Sequence, residues 1–201
     1  MRSRLVTLIA IAVASVAMGF AIKDLSASPT HHPVAKASLP PRMASYLGVY
    51  EDGSPPAYQP LAEFATAAGR QPDIVGYYSG WAEPFDTSFA DLMHSHGIIP
   101  FVQIDPTYAS MSGIATGVYD TYLRSYADSV RGFDQAVVIG FGHEMNTTGY
   151  PWGYGRVPAS TFVAAWRHVV TLFRAAGADN VTWLWTINVD EPGSGPIRPS
   201  R

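Results

Sequence analysis

Between residues 46 and 187, short apolar runs alternate with stretches that carry apolar side chains at helical spacing. Runs of β-branched and aromatic residues bounded by turn-forming residues predict strands. The five predicted strands cover residues 46–50, 73–78, 98–104, 136–139 and 181–187, and the four predicted helices cover residues 60–68, 87–96, 120–131 and 160–176. Asp86 or Thr87 is the expected N-cap of the second helix, and Ser160 that of the fourth. Regular strand–helix alternation predicts parallel βα units and an α/β fold.

Two architectures accommodate five βα units: an open doubly wound sheet, and a (β/α)₈ TIM-type barrel of which about the first five units are present. A nucleotide-binding doubly wound sheet carries a glycine-rich phosphate loop after strand one, whereas residues 51–56 read EDGSPP, acidic and rich in proline. Polar or aromatic residues follow every predicted strand, namely Glu51, Trp81, Asp105, Glu144 and Asn188. A site assembled from several strand ends is typical of a barrel mouth, so the partial barrel is the prediction for residues 45–201.

The N-terminal region reads as a targeting segment followed by a linker. Arg2 and Arg4 precede a continuously apolar or small run over residues 5–22, and residues 23–44 are rich in Ser, Pro and His. This pattern predicts a secretory signal peptide or an uncleaved N-terminal membrane anchor over residues 1–22. Either outcome places the remainder outside the cytoplasm, as a secreted or membrane-anchored domain.

Composition excludes several classes of function. The chain has no cysteine, so neither a disulfide nor a thiolate site is available. The net charge is −3 and only 14% of residues are charged, which gives no basic face for nucleic acid. An aromatic content of 12% suits a surface that stacks on sugar rings, although composition alone favours ordinary core packing as its explanation.

The segment most suggestive of chemistry is residues 140–146, GFGHEMN, followed by residues 150–153, YPWG. A buried strand leads directly into it, so Glu144 is expected at the carboxyl end of the sheet, where parallel α/β proteins place their chemistry. Retaining glycoside hydrolysis uses two carboxyl groups about 5–5.5 Å apart, one of them an acid/base. Glu144, with aromatic residues close behind it, is a candidate for that acid/base.

These residues resemble glycoside hydrolase family 26, the endo-β-mannanases and their relatives. The resemblance runs over residues 46–196 and is carried by residues 142–146 and 150–153, with support from residues 166–168 (WRH) and 183–188 (WLWTIN). It implies a (β/α)₈ barrel that cleaves internal β-linkages in mannans, or in some members β-glucans and xylans, with retention. By the same resemblance Glu144 is the acid/base and His143 orients the catalytic pair.

The remaining candidates are substrate-binding residues, with a β-linked polysaccharide as the expected partner: Trp81, Asp105, Asn146, Tyr150, Trp152 and Asn188. Trp81 either stacks on a sugar or packs at the rim, and Asp105 either shapes the cleft or bonds a sugar hydroxyl. No cofactor and no metal is expected. His94 and His96 resemble a metal pair, but they lie at a predicted helix C-terminus, where His suits the helix dipole.

Two departures from the family pattern affect the expected activity. Thr147 and Gly149 stand where the family usually has Gly and an aromatic residue. The family's nucleophile is a Glu at the end of strand seven, and the predicted elements of this chain reach strand five. Asp105, Asp190 and Glu191 are poor replacements, so little or no hydrolysis by this chain is expected. The alternatives are a non-catalytic polysaccharide-binding remnant that keeps Trp81, Tyr150 and Trp152 as stacking groups, and an inert product of an early stop or frameshift.

Overall fold

The computed structural model describes residue 39 and residues 45–189. The strands are β1 Gly48–Val49, β2 Ile74–Gly80, β3 Ile99–Asp105, β4 Val137–Phe141 and β5 Val181–Leu184; the helices are α1 Gln59–Ala68, α2 Thr87–Ser95, α3 Met111–Ala115, α4 Asp120–Phe133 and α5 Ala159–Ala175. The predicted targeting segment (residues 1–22) and linker (residues 23–44, apart from Leu39), together with Asp190 and Glu191, lie outside the described residues. None of the helices in the described part is long and apolar enough to cross a membrane.

The five strands form one parallel sheet in the order β1-β2-β3-β4-β5. A doubly wound sheet reverses its strand order at a switch point, whereas a barrel adds each new strand beside the last. The sequential order therefore confirms the barrel-type prediction over the doubly wound alternative for the five described strands.

The sheet has two unlike faces, because successive side chains of a strand point to opposite sides. The outer face packs against the helices and is fully apolar and buried in its centre, with Val75, Val102, Ile104, Ile139 and Phe141 in the core cluster. The inner face carries glycine at Gly76 and Gly140, polar or exposed side chains at Tyr78, Gln103 and Leu184, and the apolar Phe101 and Val138.

Two of the five described helices, α2 and α3, have a side-chain N-cap, and α1, α4 and α5 have none. The Asp86 side chain accepts a hydrogen bond of 2.9 Å from the Phe89 amide at the start of α2, as predicted. The helix α1 ends at Gly69, which has the left-handed conformation that glycine favours. The predicted Ser160 cap is wrong: α5 begins at Ala159, directly after Pro158, and has no side-chain cap.

Several element boundaries also differ from the predicted ones. The strand β1 contains two residues and β5 four, because pairing with their neighbours ends early, whereas β2 extends to Gly80 alongside β3. The helix α3 was not predicted, since its five residues are too few for a helical repeat to be visible. It begins where the Ser110 hydroxyl accepts a hydrogen bond from the Gly113 amide.

Candidate active site

Glu144 lies directly beyond β4, at the carboxyl end of the sheet. Its φ of 52° is in the left-handed region, which a residue with a side chain rarely adopts. The conformation is held by backbone hydrogen bonds on both sides: the Glu144 amide donates to the Thr186 carbonyl (2.9 Å), and the Thr147 amide donates to the Glu144 carbonyl (3.0 Å). Backbone outliers of this kind cluster at functional sites, where the surrounding structure over-determines them.

The Glu144 carboxylate is oriented by Asn188, which follows β5. The Asn188 side-chain amide donates to Glu144 Oε2 at 3.0 Å. Asn188 is itself fixed by a reciprocal pair with Asn146: the Asn146 side chain donates to the Asn188 carbonyl (3.1 Å), and the Asn188 backbone amide donates to Asn146 Oδ1 (2.9 Å). Both asparagines, predicted as substrate ligands, are thus placed as positioning residues for the carboxylate.

His143 is held on every side. Its Nδ1 lies 2.9 Å from Asp105 Oδ1, across the strand ends of β3 and β4. The rings of Tyr78 and Tyr150 meet the imidazole edge-on, with centroids 5.3 and 4.5 Å away. Asp105, predicted to shape the cleft or to bond a sugar hydroxyl, therefore has the His143 ring as its partner. A histidine held in this way has a fixed ring plane and a defined tautomer.

Tyr150 and Trp152 form the aromatic wall behind His143. Their rings are stacked, 4.8 Å apart and tilted by 7°, and Trp152 Nε1 donates to the His143 carbonyl at 2.8 Å. Trp152 is only 3% exposed, so the prediction that it stacks on a sugar requires correction: its ring is covered, and it supports Tyr150 and His143 instead. Burial first, and then the negative charge of Glu144, raise the pKa of Tyr150, so its phenol stays protonated at neutral pH.

The loop that follows Glu144 is closed by a tight backbone contact. The Tyr154 amide donates to the Thr147 carbonyl at 2.8 Å. A Cβ at Gly153 would lie 2.2 Å from that same carbonyl oxygen, so this position requires glycine. This closure of the loop positions the motif residues Tyr150 and Trp152.

The segments that support the motif pack together behind the site. Trp166 of α5 donates from Nε1 to the Phe141 carbonyl at 3.0 Å, and its ring contacts Trp183 and Trp185 at 5.4 and 5.1 Å. These contacts lock the last helix to the ends of β4 and β5. Trp166, Trp183 and Trp185 are therefore structural parts of the motif.

Trp81 does not join this group. Its ring contacts Tyr119 and Tyr122 of the α4 region, with centroids 5.4 and 4.8 Å away, so the packed-rim alternative describes its position. The His94 ring meets Phe133, and the His96 ring stacks on Tyr58. Within residue 39 and residues 45–189, no cluster of three or more His, Cys, Asp or Glu side chains has the arrangement of a metal site.

Sequence reasoning missed two tyrosines at this end of the sheet, Tyr50 and Tyr78. The prediction ended the second strand at Tyr78 and treated Trp81 as its functional end. Because β2 continues to Gly80, Tyr78 instead points to the inner face beside His143. The signal was present in the Tyr77–Tyr78 pair, since alternation along a strand must place one of the two rings on each face.

The fold and the site define a class: barrel-type parallel α/β chains with a carboxylate at the end of strand four. The predicted resemblance to glycoside hydrolase family 26 is confirmed by solved structures that share the fold. The catalytic domain of the Bacillus sp. JAMB-750 GH26 endo-β-1,4-mannanase has a TM-score of 0.57 and 17% identity over 72% of this chain and 50% of its own. GH26A from Muricauda sp. MAR_2010_75 has a TM-score of 0.56 and 16% identity over 75% and 60%.

A third similar structure is a β-mannanase from a symbiotic protist of the termite Reticulitermes speratus, complexed with gluco-manno-oligosaccharide (TM-score 0.55, 16% identity, 70% of this chain and 56% of that one). In sequence, the chain is 32% identical over 149 residues to endoglucanase H of Acetivibrio thermocellus. No protein-family model matches the sequence. The chain spans 17% of endoglucanase H and between half and 60% of these three structures. Two of these three structures are named as β-mannanases, and the similar sequence is named as an endoglucanase.

Proposed function

We propose that the mouth of this sheet is a glycosidase site for β-linked mannan or a related β-glucan, with Glu144 as the acid/base. The observation that carries the proposal is the fixed carboxylate: Glu144 is held in a left-handed backbone conformation and receives the Asn188 amide at 3.0 Å. A preset carboxyl group suits proton transfer to a glycosidic oxygen, because the reacting groups need no reorganisation. The names of the relatives support this substrate class.

In the proposed reaction, protonated Glu144 donates its proton to the glycosidic oxygen as the C–O bond breaks, and a second carboxylate attacks the anomeric carbon. Glu144 then removes a proton from the water that hydrolyses the glycosyl ester. Asp105 is the other carboxylate near the site, since its charge, like that of Glu144, raises the pKa of Tyr78 and Tyr150. Its carboxylate is hydrogen-bonded to His143 at 2.9 Å and is therefore not free to attack the anomeric carbon. We assign Asp105 to the positioning of His143, and we infer that the chain alone hydrolyses its substrate slowly.

A second candidate, non-catalytic binding of polysaccharide, is favoured by the same engagement of Asp105. In this second candidate the aromatic and amide side chains at the strand ends bind the polysaccharide, and no nucleophile is needed. The two candidates differ in one measurable property, since only the glycosidase makes new reducing ends.

The test measures binding to insoluble β-mannan and β-glucan, and release of reducing ends from the soluble polymers, for the full chain. In the glycosidase case, Glu144→Gln lowers hydrolysis by about 10²–10⁴-fold, the range for general acid–base catalysis, and leaves binding in place. Glu63→Gln is a matched control, because Glu63 is an α1 carboxylate that accepts a hydrogen bond from Gln59 on the helix surface. Binding without hydrolysis selects the second candidate. Neither activity, or hydrolysis that survives Glu144→Gln, contradicts the proposal.

We also infer that the chain is exported, on the basis of its N-terminal residues. Residues 1–22 act either as a cleaved signal peptide or as an anchor that leaves residues 45–201 on the outer side. Mass spectrometry of the N-terminus after cell fractionation distinguishes the two: a new terminus near Ala27 indicates cleavage, and an intact terminus in the membrane fraction indicates an anchor. An intact chain in the cytoplasmic fraction contradicts export.

A further inference from the structure

A second cavity, of about 510 Å³, lies on the helix side of β2. It is bordered by Pro55 of the β1–α1 loop, by the loop between β2 and α2, and by the first turn of α2. Tyr77 and Ser79 of β2 line it, and their side chains belong to the outer face of the sheet. We call this space the α2 cavity. The proton transfer proposed for Glu144, beyond β4, does not use it.

The lining of the α2 cavity includes two buried hydroxyl groups without a partner. Tyr77 is 4% exposed and Ser79 is 3% exposed, and neither hydroxyl has a hydrogen-bond partner among the described residues. Burial first, and then the charge of Asp86, raise the pKa of the Tyr77 phenol, so the phenol lies near that carboxylate and stays protonated. Buried polar groups are ordinarily paired, so these two hydroxyls are available to a bound group.

Two carboxylates border the same cavity, and backbone amides hold both of them in place. Glu83 Oε2 accepts a hydrogen bond from the Gly80 amide at 2.6 Å, and Asp86 Oδ1 accepts one from the Phe89 amide at 2.9 Å. Neither carboxylate forms an ion pair with a cationic side chain of residues 45–189. The second oxygen of each carboxylate is therefore free to receive a donor from a ligand.

The sequence around these carboxylates is strongly acidic. Residues 45–120 contain nine Asp and Glu residues, one Arg and no Lys, whereas residues 121–189 contain four acidic residues and five Arg. The elements that build the α2 cavity all belong to the acidic part. Because no neighbouring Lys or Arg in the sequence neutralises Glu83 and Asp86, a ligand of the cavity is expected to be cationic.

The loop that carries Glu83 is held in one conformation. Ala82 has a φ of 72°, in the left-handed region that a residue with a side chain rarely adopts. The Glu83 amide donates to the Gly80 carbonyl at 3.1 Å, and the Tyr122 hydroxyl of α4 donates to the Glu83 carbonyl at 3.1 Å. The carboxylate is thus set in place before a ligand arrives, which lowers the entropic cost of binding.

The size and walls of the α2 cavity distinguish an organic cation from a metal ion. A metal ion with about six waters fills about 200 Å³, whereas 510 Å³ lies within the range of pockets for organic ligands, about 300–1,000 Å³. Pro55, Pro84 and Phe85 add apolar walls to the two carboxylates. A ligand that matches this lining has a charged head and an apolar stem.

We propose that the α2 cavity binds a small organic cation, a primary ammonium on an apolar stem. The three N–H donors of the ammonium meet Glu83, Asp86 and the Ser79 hydroxyl, and the stem packs against Pro55 and Phe85. The site lies on the other face of β2 from the proposed glycosidase site and does not depend on it.

The test is an NMR titration of the isotope-labelled full chain with n-pentylamine, with n-pentanol as the neutral probe of the same stem. The backbone amide signals of Ser79, Asp86 and Ser88 should shift and saturate with the amine and not with the alcohol. Glu83→Gln and Asp86→Asn keep the oxygen that each backbone amide needs, and Asn caps a helix as well as Asp does.

Each of these two variants should raise the Kd for n-pentylamine about two- to fivefold, the range for one partly exposed ion pair. Asp91→Asn is the matched control, because Asp91 is an exposed carboxylate of the same helix outside the cavity lining and should leave the Kd unchanged. Higher ionic strength should also weaken binding, since the attraction is between charges.

The remaining outcomes overturn the proposal. Absence of saturable shifts, or shifts confined to other parts of the chain, shows that the cavity does not bind the amine. Equal binding of n-pentanol shows an apolar pocket without selectivity for charge. An equal rise of the Kd in Asp91→Asn assigns the effect to the general charge of the acidic part. Calcium chloride that displaces the amine at a lower concentration assigns the carboxylates to a metal ion.

Discussion

The two faces of the sheet are built from the same five strands but carry different chemistry. On the outer face, Ile139 is completely buried, and on the inner face Leu184 remains 43% exposed. The buried apolar side chains of the outer face therefore stabilise the fold, whereas the inner face and the strand ends carry the groups that can contact a ligand. Because strand alternation assigns each residue to one face, a single strand contributes to both tasks without conflict.

The largest expected effect is on the free energy of unfolding, and it distinguishes the two faces of the sheet. Ile139→Ala removes a fully buried outer-face side chain and should lower the free energy of unfolding by about 2–5 kcal/mol, as large-to-small core substitutions do. Leu184→Ala, its inner-face control, should cost less than about 1 kcal/mol, because its side chain is half exposed. Urea denaturation measures both. An equal loss of unfolding free energy in the two variants would mean that the inner face is covered in solution, and it would contradict the difference between the two faces.

The next effect is expected on activity. Asn188→Ala removes the amide that orients Glu144, and a hydrogen bond to a charged group contributes about 1.5–3 kcal/mol. If that contribution is expressed in the transition state, kcat should fall by about 10- to 100-fold with little change in KM. Thr182→Val, deeper on β5, is the control and should retain both constants. A change confined to KM would assign Asn188 to substrate binding, as the sequence predicted.

A smaller effect is expected from closure of the loop behind the site. Gly153→Ala places a Cβ where the Thr147 carbonyl oxygen lies 2.2 Å away, and such overpacking costs about 1–3 kcal/mol. Gly149→Ala in the same loop is the matched control, since the nearest atom to its added Cβ is Thr147 Oγ1 at 3.8 Å. Differential scanning calorimetry should register the first substitution and not the second. The reverse order would show that the loop closes in another way.

The sequence predicted the scaffold better than the site, for physical reasons. The strands and helices of the scaffold are determined by residues that are close together in the sequence. An apolar run forms the strand before Glu144, and Asp86 caps α2 through a hydrogen bond to a residue three positions further on. The site depends on distant pairs, such as Asp105 with His143 and Asn146 with Asn188, which are 38 and 42 residues apart. Trp152 was assigned to the substrate because its aromatic character is visible in sequence, whereas its burial depends on how the loop folds over it.

The smallest expected effect lies on the helix layer outside the sheet. His168 of α5 bonds Asp120 of α4 at 2.6 Å, and this bond, with the neighbouring Arg124, lowers the pKa of the Asp120 carboxyl. A carboxyl whose folded-state pKa is depressed adds stability above its unfolded pKa of about 3.9, and that stability is lost as pH falls through the folded value. Both side chains are partly exposed, so solvent screening limits the contribution to about 0.5 kcal/mol.

Asp120→Asn should therefore be less stable than the parent by that small amount at pH 5.5, and the difference should be smaller at pH 3, below the unfolded-state pKa of about 3.9. Urea unfolding at the two pH values measures it. Asp128→Asn is the control on the same helix, because Asp128 pairs with Arg131 on the exposed surface and should change stability little at either pH. A difference as large at pH 3 as at pH 5.5 would place the role of Asp120 in helix packing, and the outer layer would then owe part of its stability to a polar contact between α4 and α5.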